Sequence, residues 1–546
     1  MDTINIQQTP CLVTTPQGVS VSYNNKFLYS KYAPQRAIKQ IIDSINPLPG
    51  TIFLCISPVL PYGLKELSLK LPDNCLLLGC ENNKDLYNFI QDHIDDFKSI
   101  DNFTMLSPDE LYNLPPLLAG PETKFTNGYN FPGAGKFRRV IPVDFSAGAQ
   151  LNTQFYNQLS KACINAIKTF WSNRVTLSKF GRLYSKNFFK NLSIITKTTP
   201  ITNYIGKISK PIIVCGAGES LDSGIDDFKA NRNSFFILCA DTALQPLLKH
   251  EIVPDGVFIE EAQSVISKAF IGAIKHNIHI FAGLSSLPVI SHNVDKSNIS
   301  FFTTLYAKTS FIQNMKALNI LPAVNKPFGS VGLTTVHYAL QFRSSTDIPV
   351  YIYGLDFSYS AGRTHTQQAM AHTLRLCAAN KIIPVSNYSS AWNKNTTPVQ
   401  SKDNRTFYTT PTMQNYADLF NGIFYNETNL FDAADCGLKL DIPAAKPKPL
   451  SIEHNLSVST ESFTNNYKEK VTAYLKNEKE QLTKLKDILT GKIKLPAEEL
   501  EVEITKLAKP REYLYLHFPD GNQFTYSQSF LNRIRTEIEG FLKLLQ

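Results

Sequence analysis

No apolar run in this 546-residue chain reaches the ~18 residues that a membrane span requires. The opening stretch MDTINIQQTPCLVTTPQG lacks the basic start and apolar core of a secretory signal. Both absences point to the cytoplasm. No Cys-x-x-Cys pair occurs. The nine cysteines, Cys11, Cys55, Cys75, Cys80, Cys163, Cys215, Cys239, Cys377 and Cys436, are odd in number and several lie inside apolar runs. They read as buried reduced thiols, not as a disulfide framework or a zinc site. Charge is sparse at 18%, and the net +9 is modest for this length. It permits an anionic ligand without requiring nucleic acid. Internal repeats and low-complexity tracts are also missing.

What is present is a globular composition, 43% hydrophobic, enough for packed cores in three or four units of ~150 residues. Residues 10–32 alternate apolar and polar around Gly18 and Asn24–Asn25, as a hairpin does. TIFLCIS (51–57), LPYGLKELSLKL and NCLLLGCE (74–81) read as strand, helix and strand, a unit that implies a parallel sheet. The first domain, Rossmann-like, is placed at 1–125, followed by a basic helical linker at 126–210. Residues 151–210 contain no Asp or Glu and interleave Lys and Arg with aromatics. That pattern fits a pair of helices with a solvated basic face, or a dock for an anionic partner. Strands and helices alternate from PIIVCG (211–216) to PVYIYGLD (349–356), which predicts a doubly wound α/β domain over 211–445. Charged amphipathic patterns beyond it predict a C-terminal helical domain at 446–546.

PIIVCGAGESLD (211–222) reads as a strand, a glycine turn and a helix start. Leu221 stands where a dinucleotide fingerprint has its third glycine, and no Gly-Lys-Ser/Thr follows, so neither an NAD site nor a P-loop is complete. Gly216 and Gly218 could still let backbone approach a phosphate, with Ser220 and nearby amides donating to it. The competing role is a plain strand-to-helix turn. Asp241 and Thr242 follow the next strand, and Glu260 ends the one after, at the edge where open parallel sheets bind ligands. Helix capping is their alternative role. Ser330, Gly332 and Thr334 in KPFGSVGLTTVHYALQF form a second small-residue turn, suited to an oxyanion or to close helix packing. PVYIYGLDFSYSAGRTHTQ ends a strand on Asp356 and continues into Tyr359, Thr364 and His365, the last a candidate general base.

VCGAGESLD, ADTALQPLLKHEIVPDGVF, GSVGLTTVHYAL and YGLDFSYSAGRTH, in this order, resemble the Maf family, the motility-associated factors that glycosylate flagellin. Their central domain is also described as 6-hydroxymethylpterin diphosphokinase-like. The same motifs are similar to those of bacterial sialyltransferases that use CMP-sialic acid. The resemblance implies an inverting transferase moving a nonulosonic acid, of pseudaminic or legionaminic type, from a CMP-activated donor to a Ser or Thr hydroxyl of flagellin. On that reading Gly216, Gly218, Ser220, Ser330 and Gly332 steady the leaving phosphate, with help from the Tyr359 phenol. His365 is the first candidate base, Asp241 the second, and Glu260 meets the sugar. No metal is demanded, although carboxylates at strand ends could hold Mg²⁺. Three other readings stay open: a pterin diphosphokinase, S-adenosylmethionine binding at Glu81, and a non-catalytic flagellin-binding factor.

Overall fold

The computed structural model describes residues 9–307, 309–384, 395–449, 461–519 and 523–545. The chain divides into two compact units, residues 1–177 and 178–546.

In the first unit an antiparallel hairpin, Cys11–Thr15 with Gly18–Tyr23, precedes a four-stranded parallel sheet. The order across this sheet is Phe103–Met105, Leu76–Cys80, Thr51–Ile56, Arg139–Asp144. Its central strands are unbroken apolar runs because both faces are covered. Ile52, Leu54, Leu76 and Leu78 pack to one side with Leu111 and Leu114. Phe53, Cys55 and Leu77 pack to the other with Ile38, Ile42 and Leu64. The two-residue period of a strand produces this split.

The second unit is built on eight parallel strands. Their order is Val324–Asn325, Ile299–Thr304, His279–Gly283, Gly256–Ile259, Phe236–Ala240, Ile212–Cys215, Val350–Tyr353, Leu430–Asp432. Chain order runs one way from Ile212–Cys215 and then resumes on its other side, so the topological switch lies between that strand and Val350–Tyr353. Helix Val331–Phe342 covers one face, burying Leu333, Val336, Ala339 and Phe342 against Ile212, Val214 and Ile352. Crevices at such switch points are where open α/β sheets take ligands.

The region 126–210 is not a linker between domains. Arg139–Asp144 is a strand of the first sheet, paired in parallel with Thr51–Ile56. Thr153–Ile194 is one helix of 42 residues, not a pair. A run with no Pro and a single Gly, at 181, gives a helix no reason to stop. The boundary between units falls inside this helix. The C-terminal helices Asn465–Leu489, Ala497–Ala508 and Gln528–Leu542 belong to the second unit, not to a domain of their own. Among them, buried Glu478 accepts from Arg511 Nη2 at 2.9 Å and from the Tyr513 hydroxyl.

Candidate functional site

At the switch point of the larger sheet, the glycine turn and the Asp356 loop are locked together. Asp356 is 2% exposed. One carboxylate oxygen accepts from the Ser220 N–H at 2.9 Å, and the other accepts from the Ser220 hydroxyl. Ser220 Oγ in turn accepts from the Gly354 N–H at 2.8 Å. The Gly218 N–H donates to Gly354 O at 2.8 Å, and the Gly216 N–H to Tyr353 O at 2.7 Å. A Cβ on Gly218 would strike the Asp356 carboxylate, and one on Gly216 would strike Gly354 O. Burial pushes the Asp356 carboxyl up to about 6, against the pull of the two Ser220 bonds and of Lys402.

This changes the reading of the three expected phosphate glycines. Leu355 lies between the two turns: Cβ atoms on Gly216 and on Gly332 would both run into its Cδ2. Gly216, Gly218 and Gly332 therefore make room for protein atoms, and the Ser220 donors are turned onto a carboxylate. Ser330 differs. It is half-buried, N-caps helix Val331–Phe342 and accepts from the Gly332 N–H at 3.2 Å, which leaves its own O–H to donate elsewhere.

Glu219, an awkward neighbour for an anion, is only 7% exposed. It accepts from the Ser360 hydroxyl at 2.5 Å and from Arg405 Nη1 at 3.2 Å, with Arg363 Nη1 at 3.6 Å. Asp222 accepts from Arg363, from the Thr366 hydroxyl and from the Gln367 N–H. The Thr366 N–H reaches Ala217 O at 2.9 Å. Two acids at the helix start thus hold the 360–367 loop against the glycine turn. Phe357, at φ +48, bends the chain into that loop. A bulky aromatic in the left-handed region is an outlier of the kind that clusters at functional sites. Tyr359 is buried and pairs its backbone with Tyr408.

His365 is half-buried in the same loop, and its Nδ1 lies 3.0 Å from Thr364 Oγ1. Burial, then His372 and Arg375, lower its value to about 4, so the imidazole is neutral at pH 7. Arg375 donates to Thr364 Oγ1 at 3.4 Å.

Asp241 begins the turn after Phe236–Ala240. It is 3% exposed, its Oδ1 accepts from the Thr242 hydroxyl at 2.9 Å, and its Oδ2 has no hydrogen-bond partner. Burial, reinforced by Glu261 and Glu260, pushes it up to about 7. Glu260 accepts from the Thr304 hydroxyl and from the Thr334 hydroxyl at 2.6 Å, tying two strand ends to the first turn of the covering helix. Burial raises its carboxyl too. Among the described residues no three His, Cys, Asp or Glu side chains are grouped to hold a metal ion. Both Glu260 oxygens accept from threonine hydroxyls, whereas Asp241 Oδ2 is unpartnered.

The sequence reading missed Leu355, the Glu219–Arg405 pair and two amides of the long helix. Asn187 Nδ2 donates to Ala262 O and Ser285 O, and Asn191 Nδ2 to Leu284 O and Ser286 O. They fix the loops after two sheet strands. Asn at 187 and 191, one turn apart in an otherwise basic and aromatic run, was the available signal.

The first unit has its own switch point, between Thr51–Ile56 and Arg139–Asp144, and protein groups fill it. Glu81 is fully buried. It accepts from Ser57 Oγ at 2.5 Å, Tyr156 Oη at 2.9 Å and the Asn83 N–H at 2.8 Å. The Ser146 hydroxyl closes the network on Ser57 O at 2.7 Å. Both Glu81 oxygens are thus held by protein donors, with the side chain out of contact with solvent. Glu81→Ala should cost about 3 kcal/mol, since two hydroxyls and an amide lose their acceptor. Glu81→Gln should cost about half as much. Chemical denaturation of the full chain measures both.

Residues 186–362 match the family described as 6-hydroxymethylpterin diphosphokinase MptE-like. An uncharacterised protein of Treponema pallidum (strain Nichols) is 28% identical, over 98% of this chain and 95% of its own. Among solved structures, the Maf glycosyltransferase from Magnetospirillum magneticum AMB-1 superposes with a TM-score of 0.51 at 13% identity. The match covers 98% of this chain and 91% of that one.

Proposed function

From an MptE-like domain set in the fold of a Maf glycosyltransferase, we propose that this chain is a protein O-glycosyltransferase. The donor is a CMP-activated nonulosonic acid of pseudaminic or legionaminic type, and the acceptor is a Ser or Thr hydroxyl of flagellin. What supports the reading is that Asp241, Glu260 and Asp356 follow the ends of strands of one parallel sheet, with Glu260 bonded to Thr334 of the covering helix and the His365 loop tied through Asp222 to the helix that follows the glycine turn.

Breaking the anomeric C–O bond to CMP leaves negative charge on the phosphate and positive charge on the sugar. Donors preorganised toward the departing phosphate speed that step. Ser330 Oγ and the first-turn amides of a 12-residue helix supply them. The Gly216–Ser220 turn has a supporting part: with Asp356 it fixes the floor of the crevice, and a phosphate reaches its amides only by displacing that carboxylate. On this reading Glu260, Thr242 and Asp241 serve the sugar, and the Tyr359 phenol adds a hydrogen bond to the departing phosphate. The acceptor hydroxyl passes its proton to His365 as it attacks. In the tautomer that donates Nδ1–H to Thr364 Oγ1, Nε2 carries the lone pair that takes it.

Two measurements test this. Purified chain, donor and flagellin should release CMP and raise the flagellin mass by one nonulosonic acid residue. AMP release from ATP with a hydroxymethylpterin would favour the diphosphokinase reading instead. His365→Ala should lower kcat by about a hundredfold and Thr364→Val by about tenfold, with donor KM little changed. Full activity in His365→Ala would remove His365 as the base.

A further inference from the structure

The first unit holds a cleft of about 370 Å³ that the proposed chemistry does not use. It is lined by Tyr87, Gln91, Phe103, Thr126, Asn127 and Tyr129. One wall is strand Phe103–Met105, the terminal strand of the four-stranded sheet. The Leu77 N–H donates to Asn102 O and the Leu106 N–H to Gly79 O, which sets the parallel ladder on the inner side. In that ladder the peptide groups of Phe103 and Met105 point the other way, along the cleft. One of them is already paired. Asn127 Nδ2 donates to Met105 O at 2.8 Å and also reaches Thr104 Oγ1. A primary amide on an exposed loop residue therefore occupies the place of a backbone N–H.

We infer that this edge and cleft bind an extended segment of the polypeptide acceptor, added to the sheet as a fifth strand. The inference rests on the reading of a protein acceptor. The edge offers hydrogen bonds that a backbone satisfies at any sequence, as the Asn127 amide shows by standing in for one. The cleft takes side chains from one face of the added strand. Its volume suits two or three of them, and aromatic walls with an amide rim accept mixed polarity. Lys98, the one charged residue among those lining it, is ion-paired with Asp95 at 2.5 Å, so the cleft is close to neutral and segments with uncharged side chains fit best. Among the described residues only the Asn127 amide caps this edge, and an incoming strand takes its place on Met105 O; a short open edge is otherwise a liability that folded proteins blunt.

The experiment uses the full chain and fluorescein-labelled peptides of about twelve residues, tiled along flagellin, read by anisotropy. Some tiles should bind. Gln91→Trp and Thr126→Trp, both at exposed positions, should fill the cleft and weaken binding by about tenfold or more with an unchanged melting temperature. N-methylation of alternate backbone amides in a bound tile should abolish binding, and the tile should slow hydrogen exchange at Phe103 and Met105. CMP release from donor alone should be the same in both Trp variants and the parent. Absence of binding by every tile, indifference to the Trp variants, or self-association through this edge that no tile displaces would overturn the inference. If CMP release fails in the parent while tiles bind, the donor reading falls and this one stands.

Discussion

Asp356→Ala should destabilise the second unit by about 3–5 kcal/mol and lower kcat/KM by more than a hundredfold. The reason lies in what the carboxylate holds. The Ser220 N–H and hydroxyl both donate to it from inside the protein. Alanine leaves two buried donors without an acceptor, at about 1–3 kcal/mol each. The damage then spreads through Ser220 Oγ, which accepts from the Gly354 N–H, to the two loops that flank Leu355. Asp356→Asn keeps one carbonyl oxygen in place and should cost about half as much. Denaturant melts of both variants, with CMP release measured on the folded fraction, give the two effects separately. If Asp356→Ala keeps parental stability, the carboxylate is not the acceptor that organises this turn. Leu438 N–H donates to Asp356 O at 2.9 Å and a Cβ on Gly437 would lie 2.7 Å from Asp356 Cβ. The cavity left by Ala thus has little freedom to collapse, which favours the upper end of the range.

The second large effect belongs to Asp241, and it depends on pH. Its carboxyl sits at about 7 in the fold against an ordinary 3.8, because burial opposes the charge. A raised carboxyl binds its proton more tightly folded than unfolded. Its contribution to stability is therefore complete below about 4 and is lost as pH rises through about 7. The difference is on the order of 4 kcal/mol. Asn at 241 does not titrate. The melting temperature of Asp241→Asn relative to the parent should become more positive between pH 5 and pH 8, by on the order of 5 °C. His365, lowered to about 4, drives the opposite trend in the parent below pH 6.5, so the comparison must be made variant against parent. The same pH series separates the two candidate bases. If His365 takes the proton, kcat/KM is flat from about pH 5.5 upward; if Asp241 does, it climbs through about 7. A flat profile, with Asp241→Asn within tenfold of the parent, is the expected result.

Much of this architecture could be read from the chain. PIIVCG, SFFILCA, GVFIE, IHIFAG, ISFFTT and PVYIYGLD are all strands of one parallel sheet, because runs buried on both faces carry their signal in every residue. Val324–Asn325 and Leu430–Asp432 escaped notice, being two and three residues long with no periodicity to detect. The linker was misread for a different reason. FRRVIPVDF reads as a strand that leads out of the first domain, whereas Arg139–Asp144 is the edge strand of that domain's own sheet, where Pro142 loses no ladder bond. At the site, residue types were legible and partners were not. Gly216 and Gly332 looked like openings for a phosphate, whereas both are glycine to admit Leu355. A bare sequence cannot tell which neighbour a missing side chain makes room for. The same limit hid the partners of Glu219: Arg363 and Arg405 lie about 140 and 190 residues away in the chain, with no local spacing to join them to it.

The last strand of the larger sheet, Leu430–Asp432, pairs with Val350–Tyr353 from nearly eighty residues downstream. On a translating ribosome, the side of the sheet that carries Asp356 stays open until that late segment emerges. The first unit has all its strands by residue 144 and can consolidate long before. The nascent chain thus carries a finished Rossmann-like unit ahead of an incomplete one, whose raw edge is sealed only near the end of synthesis.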